Sequence, residues 1–90
     1  MSYAVQVSRR ADKMLARLDR TTAQRIQKRI DRLTMNPQNP RLSREVEMAK
    51  GQRYTRVGDW RIIYKVNEKE SLIFIVTIQH RSKVYKDLSK

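Results

Sequence analysis

Cysteine is absent from this chain, and histidine occurs once, as His80. The first absence removes disulfides, thiolate chemistry and any zinc site built on sulfur. One histidine cannot make a metal site by itself, and no carboxylate cluster surrounds it in sequence, so no metal or cofactor is expected. Long apolar runs are missing too. None approaches the roughly 18–20 residues of a membrane span, and the N-terminus lacks the charged-then-apolar order of a secretory signal. The expected location is the cytoplasm, with no membrane partner.

Acidic residues are scarce. Nine Asp and Glu stand against 21 Lys and Arg, a formal net charge of +12 on 90 residues. Residues 9–32 hold nine basic and three acidic side chains, and residues 50–90 hold ten and four. Between them Arg41 and Arg44 balance Glu45 and Glu47. A basic surface can serve solubility alone. Both halves being this basic favours a polyanionic partner: nucleic acid, an acidic protein, or each in turn. With 39% hydrophobic and 33% charged residues the chain can bury a core and is not a disordered tail. Its length allows one domain, residues 1–90, with a single modest core.

Tyr3, Val5 and Val7 alternate with Ala4 and Gln6, the period of a short strand whose place in a sheet the sequence does not give. Ser8 can cap a helix with apolar positions Ala11, Met14, Leu15 and Leu18. Thr21 and Gln24 have the spacing of a capping box for a second helix, with stripe Ala23, Ile26, Ile30 and Leu33. The short break predicts an antiparallel helical hairpin. Asn36-Pro37 stops it, and residues 36–51 read as a loop with a helical turn around Arg44–Met48. After Gly51 the period becomes two, predicting strands over 52–57, 60–66 and 72–78. Gly58-Asp59 suits a type II′ hairpin turn, and Asn67 to Ser71 closes a second hairpin.

Register turns these strands into geometry. Pairing Val66 with Leu72 sets Tyr64 against Phe74, Ile62 against Val76 and Trp60 against Ile78, all on the face the helices cover. On the other face Arg61 then lies across from Thr77. Around the turn Val57 pairs with Trp60, which puts Arg56 directly opposite Arg61. Tyr54, Gln79 and Arg81 share that face by alternation. Like charges so opposed are destabilising. They can splay into water, or they can hold an anion, since guanidinium groups offer forked donors to phosphate oxygen.

Two motifs carry a resemblance. Arg56-Val57-Gly58-Asp59-Trp60-Arg61-Ile62-Ile63-Tyr64 and His80-Arg81-Ser82-Lys83-Val84-Tyr85, about twenty residues apart, resemble the RelE/ParE superfamily of bacterial and archaeal toxins. The pair is typical of the RelE side, whose members cut messenger RNA, usually in the ribosomal A site. ParE relatives share the fold, poison DNA gyrase and lack this set of residues. The resemblance implies an α+β fold: an N-terminal strand, a helical hairpin packed on a small antiparallel sheet, and a short C-terminal helix. It also implies an acidic, RelB-like antitoxin covering the basic surface, whether the hairpin (Arg10, Lys13, Arg17, Arg25, Lys28, Arg29) or the Arg56/Arg61/Arg81 face. The implied reaction is metal-free attack of a ribose 2′-hydroxyl on the adjacent phosphate, leaving a cyclic phosphate and a 5′-hydroxyl. Arg61 matches the strand arginine that stabilises phosphate charge. Arg81 matches the arginine tied to the leaving group, and Tyr85 the tyrosine that stacks on RNA. Arg53, Arg56, Lys50 and Lys83 are the expected RNA-binding cations.

The general base departs from the family. Where some RelE toxins carry two strand lysines, this chain reads Arg53-Tyr54-Thr55-Arg56, and arginine stays protonated. Glu47 holds a family base position four residues before Gly51, and His80 is the second candidate, histidine being the side chain most often used as a general base. Both have plain structural readings, a solvated loop carboxylate and a packed histidine. The alternatives to a nuclease are a gyrase poison, a non-catalytic basic binding module, and a degenerate toxin that no longer cuts.

Overall fold

The structure, a computed structural model, describes residues 2–82. The elements run β1 (Ala4–Val7), α1 (Arg9–Arg17), α2 (Arg20–Leu33), β2 (Ser43–Glu45), β3 (Gln52–Val57), β4 (Trp60–Asn67) and β5 (Leu72–His80). The strands form one sheet in the order β1-β5-β4-β3-β2. Two helices packed on a sheet confirm the expected α+β architecture. The sheet is mixed and not wholly antiparallel, because β1 pairs parallel with β5. A helical connection, and no hairpin turn, leaves β1, so nothing forces it to pair antiparallel with its neighbour.

Ser8 caps α1 as its sequence suggests. Its Oγ accepts from the Ala11 N–H at 3.0 Å and donates to the Val76 carbonyl at 2.7 Å, tying the helix start to β5. The cap of α2 is Asp19, not Thr21. Its carboxylate accepts from the Thr22 N–H at 3.0 Å, and hydrogen bonding by Thr22 holds the carboxyl below its ordinary range. Asp competes well for this position because an ionised oxygen is the stronger acceptor for an orphan helix N–H.

The apolar stripes meet the sheet as expected. Ala11, Ile26, Ile30 and Leu33 are buried with Val57, Ile62, Tyr64, Ile73, Ile75 and Ile78, and Met14, Leu15 and Leu18 pack against that cluster. Burial of each large apolar side chain stabilises by about 1.5–3 kcal/mol. The Tyr64 hydroxyl stays satisfied in the core by donating to the Pro37 carbonyl, which also accepts from Ser43 Oγ at 3.2 Å.

Two expectations are corrected here. Residues 43–45 form an edge strand where a helical turn was expected, with Ser43, Arg44 and Glu45 opposite Thr55, Tyr54 and Arg53. Long-range bonds select it: the Thr55 hydroxyl donates to the Leu42 carbonyl, and Arg53 Nε donates to Ser43 Oγ at 3.0 Å. Three residues carry too little periodicity to show this in sequence.

The second correction is the β4–β5 register. Val66 pairs with Ile73, Tyr64 with Ile75, Ile63 with Thr77 and Ile62 with Ile78. Val76 is the extra residue of a bulge between the Ile63 and Tyr64 pairs. Ile73 and Ile75 therefore enter the core in place of Leu72, Phe74 and Val76, which are only half-buried. The run Leu72–Ile78 is apolar on both faces, so alternation cannot choose between them. Arg61 consequently lies across from Gln79, not Thr77.

The β3–β4 hairpin is as expected. Gly58 has φ +60° while Asp59 keeps a negative φ, the pattern of a type II′ turn. Val57 pairs with Trp60, and Arg56 with Arg61.

Candidate functional site

Alternation in β3 and β4 turns Ile62, Tyr64, Thr55 and Val57 toward the helices and sends Tyr54, Arg56 and Arg61 to the opposite face. There Arg61 lays its guanidinium over the Tyr54 ring, with 4.4 Å from the guanidinium carbon to the ring centroid. This cation–π contact fixes the half-buried Arg61 without spending its N–H donors on a carboxylate. Arg56, directly opposite, is exposed, and its carbonyl accepts from Arg29 Nη1 of α2 at 2.7 Å. Two adjacent arginines are thus held at one end of a rigid ladder. Such a pair can clamp a phosphate and carry charge that builds on it.

Arg81 arrives at the same end. Its N–H donates to the Asp59 carbonyl at 2.7 Å, pinning the chain after β5 to the β3–β4 turn. The strand ends at His80, and Arg81 and Ser82 are helical, so alternation does not assign Arg81 to the Arg61 face.

His80 stands opposite Trp60 on the helix side, as its alternation suggests. The two rings meet edge to face, 5.0 Å apart at 78°. Its Nδ1 accepts from the Ser82 N–H at 3.3 Å and lies 3.0 Å from Ser82 Oγ. A backbone N–H aimed at Nδ1 puts the proton of the neutral ring on Nε2.

Glu47 and Lys50 are exposed in the turn between β2 and β3, beyond Gln52. Four strand steps lead from Gln52 to Arg56, roughly 13 Å at the usual rise. These two are not brought to the arginine pair. Arg53 faces the helix side opposite Tyr64, and its guanidinium donates to Ser43 Oγ, the Ser43 carbonyl and the Gln38 carbonyl. Lys83, Tyr85 and the expected C-terminal helix lie outside the described residues.

Two residues at this end, Arg44 and Arg29, escaped the sequence reading, and for Tyr54 alternation gave the face but not the diagonal contact that seats Arg61. Arg44 reaches the same face only because β2 exists. Arg29 looked like one charge among many on a helix surface; its spacing of four from Arg25, whose guanidinium lies against the Gly58 turn, was the available signal. Among the described residues no three His, Cys, Asp or Glu side chains gather to hold a metal ion, and no helix is long and apolar enough to cross a membrane.

Compared with protein-family models, residues 5–85 match the ParE toxin of type II toxin–antitoxin system, parDE. The chain belongs to this toxin family. No curated protein sequence matches it. Among solved structures, the archaeal RelE–RelB complex of Pyrococcus horikoshii OT3 contains a chain 26% identical to this ParE-family protein, covering 92% of it and 99% of that chain with a TM-score of 0.78. The RelBE2 toxin–antitoxin complex of Mycobacterium tuberculosis gives 21% identity, 90% and 100% coverage, and a TM-score of 0.77. The isolated E. coli RelE toxin gives 17%, 98% and 96%, and 0.78. The last two similarities establish the fold. The family match agrees with the RelE/ParE superfamily membership that the two motifs suggest.

Proposed function

We propose that this ParE-family chain is a ribosome-dependent endoribonuclease, the toxin of a type II pair, silenced by an acidic RelB-like antitoxin. The observation that carries this reading is the Arg56–Arg61 pair, opposed across the ladder with Arg61 seated on Tyr54. In the reaction a ribose 2′-oxygen attacks the adjacent phosphorus and the bond to the 5′-oxygen breaks. The products are a 2′,3′-cyclic phosphate and a 5′-hydroxyl. No metal is required. Arg61 and Arg56 stabilise the phosphorane charge, Arg81 serves the leaving oxygen, and Tyr85 stacks on a base.

Glu47 and His80 remain the two candidate bases by residue type. The length of β3 between Glu47 and the arginines, and the engagement of His80 Nδ1 by Ser82, favour a third route. In it the 2′-hydroxyl is activated by its position and by arginine charge alone. Arg53, spent on Ser43 and Gln38, supports the loop more than it contacts RNA.

The partner reading rests on charge and on kinship. A net charge of +12 favours an acidic partner, and the Pyrococcus horikoshii relative was solved with RelB. The family model itself favours a second reading, a gyrase poison of the ParE kind. The deciding experiment mixes purified protein with messenger on stalled ribosomes and maps new 5′ ends. Cuts that disappear with Arg61→Ala support the nuclease. Intact messenger together with gyrase-dependent DNA breaks overturns it in favour of the second reading.

A further inference from the structure

Beside the arginine pair, at the β2 edge of the sheet, the surface falls into a groove of about 480 Å³. Arg29, Arg41, Arg44, Tyr54 and Arg56 line it, and none of its lining residues is acidic. Three separate segments bring these cations together. Pairing of β2 with β3 sets Arg44 opposite Tyr54. Asn39 fixes the preceding turn, its Oδ1 accepting from the Arg41 N–H at 3.0 Å and its carbonyl from the Leu42 and Ser43 N–H groups, each at 3.0 Å.

Arg29 reaches in from α2. Its Nη1 donates to Thr55 Oγ1 at 2.8 Å and to the Arg56 carbonyl at 2.7 Å, both neutral acceptors. Thr55 in turn donates to the Leu42 carbonyl, so one relay locks α2, β3 and the groove's outer wall. Burial, and then the charge of Arg32, push the Arg29 guanidinium below its ordinary value. A half-buried cation with neutral partners carries a desolvation cost that a bound anion offsets. A purely structural clamp explains Arg29 but gives no reason for Arg41 and Arg44 to converge on the same space.

We propose that this groove is a second phosphate subsite for an RNA strand, holding the phosphate that flanks the one at Arg56 and Arg61. Arg56 belongs to both places, so a strand crossing it has one phosphate on each side. This inference rests on the RNA reading of the arginine pair, and it assigns Arg29, Arg41 and Arg44 to binding, not to the chemical step. A strand of successive phosphates suits two anion sites in series better than scattered carboxylates of an acidic protein do.

The test titrates the whole protein by NMR with two probes, a ribodinucleoside monophosphate and a 2′-O-methyl pentanucleotide that cannot be cut. The double variant Arg41→Gln/Arg44→Gln should bind the pentanucleotide about tenfold more weakly, the size of one charge-assisted contact. It should lower the salt slope by about 0.7 and bind the one-phosphate probe as the parent does. Arg29→Lys should act in the same direction at unchanged melting temperature, and Arg29→Gln serves if the lysine restores the contact. Equal weakening of both probes, or none, overturns the subsite, as does a parent protein that binds neither probe. Loss of binding to an acidic peptide alone would reassign the groove to a protein partner. Cleavage on ribosomes is scored separately: a parent that binds as expected but does not cut loses the nuclease reading and keeps the subsite.

Discussion

Arg56 and Arg61 face each other directly across the β3–β4 ladder, on the side of the sheet turned away from α1 and α2. The pair costs stability by itself, and its two members differ in what they receive in return. Arg61 has the Tyr54 ring beneath it; the Arg56 side chain points into solvent. Removing Arg56 should therefore stabilise the fold. Arg56→Gln is expected to raise stability by about 0.2–1 kcal/mol at low salt, and the gain should shrink as salt screens the repulsion. Urea denaturation at two ionic strengths measures this, and a salt-independent loss of stability would contradict it.

Arg61→Ala should abolish growth arrest while the protein still folds. The missing donor corresponds to about 3–4 kcal/mol of transition-state stabilisation. Its melting temperature should move little, because relief of the repulsion and loss of the cation–π contact oppose each other. Undiminished toxicity of a folded variant would remove Arg61 from the mechanism.

Glu47→Gln and His80→Gln should each cut within about tenfold of the parent rate, well short of the roughly 10²-fold or greater loss expected for a true general base. Single-turnover cleavage over pH 5–8 is the measurement. A loss of 10²-fold or more at Glu47 would make it the base, and loss of a limb near pH 6–7 in His80→Gln would give that role to the imidazole.

Stability near the acid end should depend on Asp19. Hydrogen bonding by Thr22 depresses its folded pKa, so its contribution is complete above the ordinary carboxylate range and fades as pH falls through the depressed value. Asp19→Asn should keep the cap and lose this pH dependence. Parallel melting curves of the two proteins from pH 6 down to pH 2 would exclude the assignment.

The Pro37 carbonyl accepts from both Tyr64 and Ser43. Tyr64→Phe and Ser43→Ala should each cost about 1 kcal/mol. Together they leave a buried carbonyl without its donors, so the double variant should lose more than the sum, by about 0.5–3 kcal/mol. Strict additivity would show that water replaces them.

RNA binding should fall steeply with salt. Four contacted phosphates give a slope of log K against log salt of roughly −3 for a single strand. A nearly flat titration would argue against docking led by phosphate.

By itself the sequence determined the helical stripes, the Ser8 cap, the Gly58-Asp59 turn and hence the Arg56–Arg61 opposition. Each of these is set by contacts within a few residues, where period and turn chemistry are enough. Tertiary structure decided the rest. The Val76 bulge follows from which isoleucines fill the core beneath α1 and α2, a choice that a run apolar on both faces leaves open. The β2 strand exists because Thr55 and Arg53 reach across to Leu42 and Ser43, residues at least ten positions away. Parallel pairing of β1 with β5 joins segments nearly seventy residues apart, beyond the reach of any local periodicity. The arginine groove is tertiary in the same sense, since Arg29, Arg44 and Tyr54 meet only after α2, the β2 edge strand and the β3–β4 ladder have closed on one core.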